Sequence, residues 1–509
     1  MNISNVREVG TGRQVRVEVR DGRIAAFGDS PRSAGDFDGR ELFIHPGFND
    51  AHVHLWKVGN LLTGMLDVRG VASIHALISR ISRFGDALPD NIWFEGRGYN
   101  EATLAEGRHP NRRDLDLALG GRPGFLIRTC AHIAVANTAA LHLAGIHRET
   151  PNPPGGVIEK DQYGEPTGIL HETALGLVQR VIPPPTRADY ERMILAGCRH
   201  QLKLGITAAT DPAVFPELTE AYCALAADGK LPQRVNLLAI RRPDGGSATY
   251  PLPAPMESDF LRIKSVKFFA DGGLSGATAA LSRPYRHADT RGVLRFQREE
   301  LLELAREAHR AGLQIGTHAI GDDAIEQVLG VYEELYRESA GPRHRIEHLG
   351  LPTDDHLRRI AAAGIIAVPQ AIFVDELGPN FRRYLDDAYL SGVYPLRRIK
   401  DAGIDLALSS DAPVVRNDNP FSGMKAAITR LDREGQPIAP TQALTVAECL
   451  QAYTVGGAIA SGLEKEIGSL APGMRADMIL LSEDPTAVAP HELDRIKVEA
   501  VFVGGRQVV

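Results

Sequence analysis

The clearest chemical signal in the sequence is a pair of histidines separated by one residue. His52 and His54 lie in the segment NDAHVHL. Residues two apart on a β-strand point to the same side, so the two imidazoles would face one metal ion. Because the motif is short, two surface histidines on an edge strand would produce the same pattern. The motif alone leaves both interpretations open.

Three other polar residues each end an apolar segment that is predicted to be a strand. His318 ends LQIGTH, His348 ends HRIEH, and Asp411 ends LALSSD. In a parallel barrel the C-terminal ends of the strands meet at one mouth. One histidine at such a position is accounted for by hydrogen bonds to its neighbours, whereas several from different strands indicate a metal site.

Lys267, in the segment SVKFFADGG, is the unusual member of this group. An ammonium group is a poor metal ligand and costs free energy in an apolar strand unless it is paired or neutralised. One interpretation is that the amine has reacted with carbon dioxide to give a carbamate that bridges two metals. The other is an ion pair with Asp271. The sequence favours neither the carbamate nor the ion pair.

The elements that must position these residues are strands alternating with helices, which predicts an α/β fold built on a (β/α)8 TIM-like barrel. Helical segments such as EELLELAREAHRAG, with Gly312 as its C-cap, fill the gaps. Eight candidate strands are the number that a closed barrel requires. They are the segment ending at His52 and His54, ITAATD from Ile206, RVNLLAI from Arg234, SVKFFAD from Ser265, LQIGTH from Leu313, HRIEHL from His344, IIAVPQ from Ile365 and DLALSSD from Asp405.

The two chain ends are predicted to form one small β-sandwich domain, made of residues 1–45 and 463–509. RQVRVEVRDGRIAAF alternates apolar and polar residues around Asp21-Gly22, which is a strong hairpin signal, and VEAVFVGGRQVV turns at Gly504-Gly505. Neither hairpin would be stable alone, so we expect them to pair.

Residues 46–462 are predicted to form the barrel together with an inserted subdomain. The interval from about residue 65 to 200 follows the first barrel strand and is too long for one crossover helix. Within it, GGVIEKDQYGEPTGILHE predicts a hairpin that turns at Tyr163-Gly164.

Composition excludes several classes of partner. The formal net charge is −7 and no long Lys/Arg block is present, so we expect no nucleic acid partner.

The N-terminus MNISNVREVG has no apolar signal region, and the apolar stretch at 364–374 is too short for a membrane span. The widely spaced cysteines fit free thiols in a reducing cytoplasm, which is the predicted location. They are Cys130, Cys198, Cys223 and Cys449.

Several motifs together resemble the amidohydrolase superfamily, and specifically its YtcJ-like (amidohydrolase type 3) branch. The resemblance runs from about residue 10 to the end of the chain, with the motifs in the expected order. The motifs are HPGFNDAHVHL, VKFFADGGLSG, THAIGDDAIEQ, RIEHL, SSDAPV and GSLAPGMRADMILL. The resemblance implies two zinc ions, or a single divalent metal, and a carboxylated lysine. The metal ligands that it implies are His52, His54, Lys267, His318, His348 and Asp411.

The resemblance also implies the reaction, which is hydrolysis of an amide-type C–N bond, linear or cyclic, in a small molecule. A metal-activated hydroxide would attack, and Asp411 would carry the proton to the departing nitrogen. A lactonase, esterase or phosphotriesterase would use the same site. A non-catalytic metal-binding scaffold is disfavoured because every ligand position is filled. The family often forms dimers, so a homodimer is consistent with the resemblance.

Four further residues have weaker signals. His132, in RTCAHIAVANTAAL, resembles a family segment near the active-site entrance and would contact substrate, although a histidine in the subdomain core would look the same. Asp271 would orient Lys267 or shape the substrate pocket. Glu347 is predicted to point away from the mouth because neighbouring strand residues alternate, and Asp322 is predicted to be a helix N-cap.

Overall fold

The computed structural model describes residues 2–29, 35–89, 92–128, 133–243, 248–286 and 289–509. The chain divides into two compact units, and the fold is α/β. The first unit combines Met1–Leu55 with Cys198–Val509, and the second is Trp56–Gly197. His132 lies outside the described residues, so its predicted substrate contact has no structural account.

A curled parallel sheet in the first unit is the scaffold of the candidate site, and it is consistent with a TIM-like barrel. Its strands are β6 Phe48–Asp50, β13 Ile206–Val214, β14 Arg234–Ile240, β15 Met256–Glu257, β16 Leu261–Phe269, β17 Gln314–Ala319, β18 Arg345–His348 and β19 Ile366–Val368. They follow the order β6-β13-β14-β16-β17-β18-β19, and β15 pairs antiparallel with β16. β13 and β14 are buried along almost their whole length, as expected of parallel strands covered on both faces.

The segment DLALSSD differs from its predicted strand conformation. It contains one isolated parallel bridge, between Leu406 and Ala367, and the backbone N–H of Leu408 donates to the Ala452 carbonyl 3.3 Å away. The ladder stops after this bridge because the next residue that would donate to the segment from the β19 side is Pro369, which has no N–H. The segment still reaches the first strand region, where the Asp411 N–H donates to the His52 carbonyl at 2.7 Å.

A second sheet in the first unit joins strands from both chain ends. Its strands are β1 Ile3–Glu8, β2 Gln14–Arg20, β3 Arg23–Gly28, β4 Phe37–Asp38, β5 Phe43–Pro46, β20 Met478–Leu481, β21 Val498–Val503 and β22 Arg506–Gln507. They follow the order β22-β21-β20-β5-β1-β2-β3, with β4 beside β1. The predicted hairpin turn at Asp21-Gly22 is confirmed, and both residues have positive φ, as a two-residue turn of this kind requires. Gly504-Gly505 makes an equivalent turn.

The second unit has a mixed sheet of its own. Its strands are β7 Met65–Asp67, β8 Phe94–Tyr99, β9 Gly124–Arg128, β10 Ile133–Ala136, β11 Gly156–Lys160 and β12 Pro166–Glu172. They follow the order β11-β12-β10-β9-β8-β7. The predicted hairpin at Tyr163-Gly164 is confirmed by the antiparallel pairing of β11 with β12.

The helices lie mostly between strands, and among the described residues none is long and apolar enough to cross a membrane. They are α1 Leu55–Thr63, α2 Ile74–Asp86, α3 Arg112–Leu119, α4 Thr138–Leu143, α5 Leu175–Gln179, α6 Arg187–Lys203, α7 Pro216–Ala227, α8 Arg298–Arg310, α9 Asp322–Glu338, α10 Asp354–Ala363, α11 Ile372–Tyr384, α12 Asp387–Leu390, α13 Leu396–Asp401, α14 Pro420–Thr429, α15 Val446–Gln451 and α16 Gly457–Ser461. α8 matches the predicted amphipathic helix and buries its leucine and alanine face.

Two buried histidines form a neutral hydrogen-bonded pair at the N-terminal end of β18. The Ile315 N–H donates to His344 Nδ1 at 3.1 Å, so the His344 proton must be on Nε2, 3.0 Å from His309 Nδ1. His309 Nε2 in turn donates to the Ser339 carbonyl. Burial, reinforced by His309, lowers the pKa of His344 to about 3.

This pair predicts that stability falls in mild acid. The folded state binds a proton at His344 only near pH 3, whereas the unfolded chain binds it below about pH 6.5. Stability from this residue is therefore complete above pH 6.5 and falls by about 2 kcal/mol between pH 7 and pH 5. Denaturant unfolding at both pH values should show a smaller fall in His344→Asn. Exposed His491→Asn is the control, and an equal fall in all three proteins would contradict the prediction.

Candidate metal centre

The two histidines of the HxH motif lie just beyond β6 and not within it. β6 ends at Asp50, whose carboxylate accepts hydrogen bonds from the His52 N–H and the Ser410 N–H, both at 3.1 Å, and from Ser410 Oγ at 2.6 Å. This carboxylate ends the strand and ties it to the segment that leads to Asp411. Burial raises the pKa of Asp50 to about 7.

Asp411 lies between the imidazoles of His52 and His54. Its Oδ1 is 3.3 Å from His52 Nε2 and 3.4 Å from His54 Nε2, and one donor atom from each of the three residues falls within 4.8 Å of the others. All three side chains are buried. Asp411 has φ +55°, a left-handed conformation that turns its side chain out of the preceding extended backbone.

His348 and His318 continue the cluster on its other side. The His348 ring centroid lies 5.1 Å from that of His52 and 4.3 Å from that of His318. His348 Nδ1 donates to Gln370 Oε1 at 2.5 Å, and the ring stacks against Phe373. The structure thus brings four histidines from three strand regions to one place.

Lys267 lies on β16 next to this cluster and is completely buried. Its Nζ is 4.8 Å from the Phe269 ring centroid, and that ring lies 5.4 Å from the ring of His318. Its charge acts on His52 and on His348, in each case to lower the pKa. Lys267 therefore faces the cluster of predicted ligands.

Asp271 holds together the loops around His318. Its carboxylate accepts hydrogen bonds from the backbone N–H groups of Ile320, Gly321 and Ala280 at 2.8–3.0 Å. His318 Nε2 is 3.3 Å from Asp271 Oδ1 and 3.0 Å from the Gly272 carbonyl. Asp271 is thus well placed to orient His318.

The prediction that Asp322 is a helix N-cap is wrong. The N-cap of α9 is Gly321, and Asp322 is the first helical residue. Its carboxylate instead accepts hydrogen bonds from Ser282 Oγ at 2.5 Å and from the Tyr389 hydroxyl at 2.9 Å. These bonds join the loop that contains Ser282 to α12, and because the carboxylate is engaged there it does not cap its own helix.

The electrostatics of the cluster fit a divalent cation. Burial acts to raise the pKa of Asp411, but the neighbouring imidazoles, His52 foremost, hold it well below its usual range. Burial lowers the pKa of His348, so its ring is neutral and offers a lone pair. Burial and Lys267 act to lower the pKa of His52, but Asp411 and Glu347 raise it overall. A neutral imidazole such as that of His348, near an anionic carboxylate, is a ligand that zinc prefers.

A family comparison matches this arrangement. The model described as "Amidohydrolase family" matches residues 37–509. The chain belongs to the amidohydrolase family. It is therefore a hydrolase, and the enzymes of this metal-dependent family act on carbon–nitrogen bonds other than peptide bonds. The resemblance inferred from the motifs is confirmed.

Individual relatives of this amidohydrolase span nearly its whole length. YtcJ of Bacillus subtilis (strain 168), which is named as a putative amidohydrolase, is 31% identical over 97% of this chain and 96% of its own. N-substituted formamide deformylase of Arthrobacter pascens is 31% identical over 99% and 96%. An uncharacterized metal-dependent hydrolase of Pyrococcus horikoshii has a similar crystal structure, with a TM-score of 0.79, 28% identity, and coverage of 96% and 98%.

The amidohydrolase site also contains a residue whose predicted orientation is wrong. Glu347 is predicted to point away from the mouth, but its Oε2 accepts a hydrogen bond from His52 Nδ1 at 2.5 Å. Along β18, the regular alternation of side-chain direction holds between Arg345 and Glu347, which point to the same side. It fails at His348, where φ is +73°. The sequence did contain a signal for this orientation. An Arg and a Glu two residues apart in a buried strand lie on the same side, and such buried charges must be paired.

Proposed function

We propose that this amidohydrolase hydrolyses an amide-type C–N bond, linear or cyclic, in a small molecule. The observation that carries the proposal is the buried Asp411 carboxylate, 3.3 and 3.4 Å from the Nε2 atoms of two histidines. A carboxylate in this position can both hold a metal and exchange protons with a substrate bound there. Amide hydrolysis requires such a group, because the nitrogen leaves only after protonation.

The proposed metal set is two zinc ions or a single divalent metal. When bound, the metal lowers the pKa of coordinated water to about 7 and polarises a carbonyl. The burial of the cluster and the neutral imidazole of His348 support zinc. We propose that Lys267 is N6-carboxylated, since an anionic carbamate would attract the cations that an ammonium repels. The residues that would hold the metals are His52, His54, Lys267, His318, His348 and Asp411.

Asp411 would move the proton during the reaction. Its carboxylate takes a proton from the attacking water and gives it to the departing nitrogen, and one group can serve both steps. Its pKa, held well below the usual range, keeps the carboxylate ionised, which is the form that can accept a proton. The bond from the Asp411 N–H to the His52 carbonyl holds the carboxylate beside the HxH segment.

We also propose the finer architecture. The hydrogen bonds of the segment 405–411 to β19 and to His52 support a closed (β/α)8 barrel over residues 46–462, with an inserted subdomain at about 65–200. The shared sheet of the chain ends supports a composite β-domain. Substrate contacts are proposed for Asp271 and His132. A structure with a bound substrate analogue would test both contacts.

A substrate panel tests the proposed reaction. Purified enzyme with zinc would be assayed on N-substituted formamides, other N-acyl amines and cyclic amides, beside esters, lactones and phosphotriesters of matched size. N-substituted formamides are included because the Arthrobacter pascens relative is named for them. We expect turnover of at least one amide class with kcat/KM above that of its ester counterpart. Turnover of esters or phosphotriesters without any amide would overturn the proposal.

A further inference from the structure

The two inner histidines of the site have different hydrogen-bond partners on their far nitrogens. His52 Nδ1 contacts the carboxylate of Glu347, and His348 Nδ1 contacts the amide of Gln370, both at 2.5 Å. An outer partner of this kind fixes the tautomer of a ligating histidine and sets how strongly it donates to a metal. The partners therefore divide the site into two chemically different halves.

The carboxylate fixes the tautomer of His52. An ionised carboxylate only accepts hydrogen bonds, so His52 Nδ1 carries a proton, and Nε2 is the nitrogen left to bind a metal. Glu347 is completely buried and is held by Arg345, whose Nε and Nη2 donate to the two carboxylate oxygens at 2.5 and 2.9 Å. Glu347 is thus a rigid anionic partner.

Arg345 also fixes the backbone on which His52 is carried. Its Nη2 donates to the Ala51 carbonyl at 2.6 Å, and its Nη1 donates to the Ala460 carbonyl at 3.2 Å. The pair of Arg345 and Glu347 on β18 therefore holds both the main chain and the ring of the first histidine.

The amide fixes His348 in the same tautomer without any charge. Gln370 Nε2 donates to the Val368 carbonyl at 3.1 Å and to Ser409 Oγ at 2.9 Å, so its oxygen must be the atom that faces His348. Because this oxygen only accepts, the His348 proton is on Nδ1 and its Nε2 is available to bind a cation. The neighbouring His318 donates from Nε2 to the Gly272 carbonyl at 3.0 Å, which leaves its Nδ1 to bind a cation.

We propose that Glu347 and Gln370 are positioning residues that make the two metal subsites unequal. The subsite of His52, His54 and Asp411 binds zinc more tightly than the subsite of His318 and His348. The first subsite has an anionic ligand in Asp411, and the second has two histidines without an anionic ligand of its own. The Glu347 carboxylate contacts His52 at 2.5 Å, whereas His348 is backed by an amide and the Asp271 carboxylate lies 3.3 Å from His318. A carbamate at Lys267 would be shared by both subsites, so the difference in zinc affinity between them would remain. This inference rests on the proposed metal-dependent function.

Zinc titration of metal-free enzyme tests the inference. Zinc would be added in competition with a chromophoric chelator, and bound zinc would be counted by elemental analysis. We expect the first zinc to bind at least about tenfold more tightly than the second. Glu347→Gln gives His52 the same kind of partner as His348, so it should weaken the first step by about tenfold, towards the affinity of the second, and leave the second unchanged. Gln370→Met should weaken only the second step.

Folding must be separated from metal affinity, because Glu347→Gln leaves Arg345 buried without its carboxylate. The double variant Glu347→Gln/Arg345→Met removes that unpaired charge and should show the same selective loss at the first step. A purely structural role would weaken both steps equally and lower the unfolding temperature of the metal-free protein. Equal affinities of the two steps in the wild type, or loss of the same step in both single variants, would overturn the inference.

The result also separates this inference from the proposed function. Folded wild-type enzyme that binds no zinc would contradict the proposed function itself. Binding in two equal steps would contradict only the inequality. If a single zinc binds, selective weakening by Glu347→Gln supports the inference, and weakening by Gln370→Met overturns it.

Discussion

Replacing Asp411 by asparagine is expected to lower kcat by about 10²–10⁴-fold, the usual contribution of a positioned acid–base group. Asparagine keeps the size of the side chain and one oxygen near His52 and His54, but it cannot take a proton from water or give one to nitrogen. Steady-state kinetics on the best amide of the panel, at saturating zinc, would measure the loss.

The control for this variant is Asp405→Asn, at the start of the same segment. Asp405 is partly exposed and pairs with Arg343 at 2.6 Å, and a surface ion pair of this kind contributes little. Its kcat should stay near that of the wild type. Zinc content must be measured in both proteins, since Asp411 is also a proposed ligand. Full activity of a zinc-loaded Asp411→Asn enzyme would exclude the proposed proton transfer.

Removing the metal is expected to abolish turnover and to lower the unfolding temperature. An ion that binds only the folded state stabilises it by about 4 kcal/mol when its concentration is about a thousand times its Kd. Dialysis against a chelator, followed by assay and calorimetry with and without added zinc, would show both effects. Added zinc should restore activity and stability together.

The matched variant for metal removal is His54→Ala, which deletes one donor of the group formed by His52, His54 and Asp411. Its unfolding temperature should respond less to zinc than that of the wild type. If a wild-type sample shown by elemental analysis to be metal-free keeps its turnover rate, the reaction does not depend on a metal.

Prediction of strands from the sequence was most accurate where apolar runs were long. β13, β14 and β19 overlap their predicted segments, because continuous apolar runs with β-branched residues strongly favour a buried strand. DLALSSD is bridged to β19 only at Leu406, because the neighbouring chain continues with Pro369, which has no N–H to donate. Which residue lies beside DLALSSD is a tertiary property that the local pattern of this segment does not contain.

The positions of individual side chains at the site were harder to predict. Gln370 ends the apolar segment IIAVPQ, just as His318 and Asp411 end theirs, so the rule that found those residues would also have found Gln370. The predicted orientation of Glu347 was wrong because it assumed that side-chain directions alternate between Glu347 and His348. The φ of +73° at His348 breaks that alternation. Positive φ at a histidine has no signature in the sequence.

The sequence by itself determined the chemical types at the site and their order, from the HxH pair to Asp411, because ligand chemistry depends on residue identity. It also determined the strands that carry most of them and the turn residues of the terminal hairpins. Only the tertiary structure decided which atoms meet. The contact of Glu347 with His52 joins residues 295 positions apart in the chain. The turn at Asp50 and the left-handed backbone at His348 and Asp411 aim the side chains, and long-range packing stabilises those conformations.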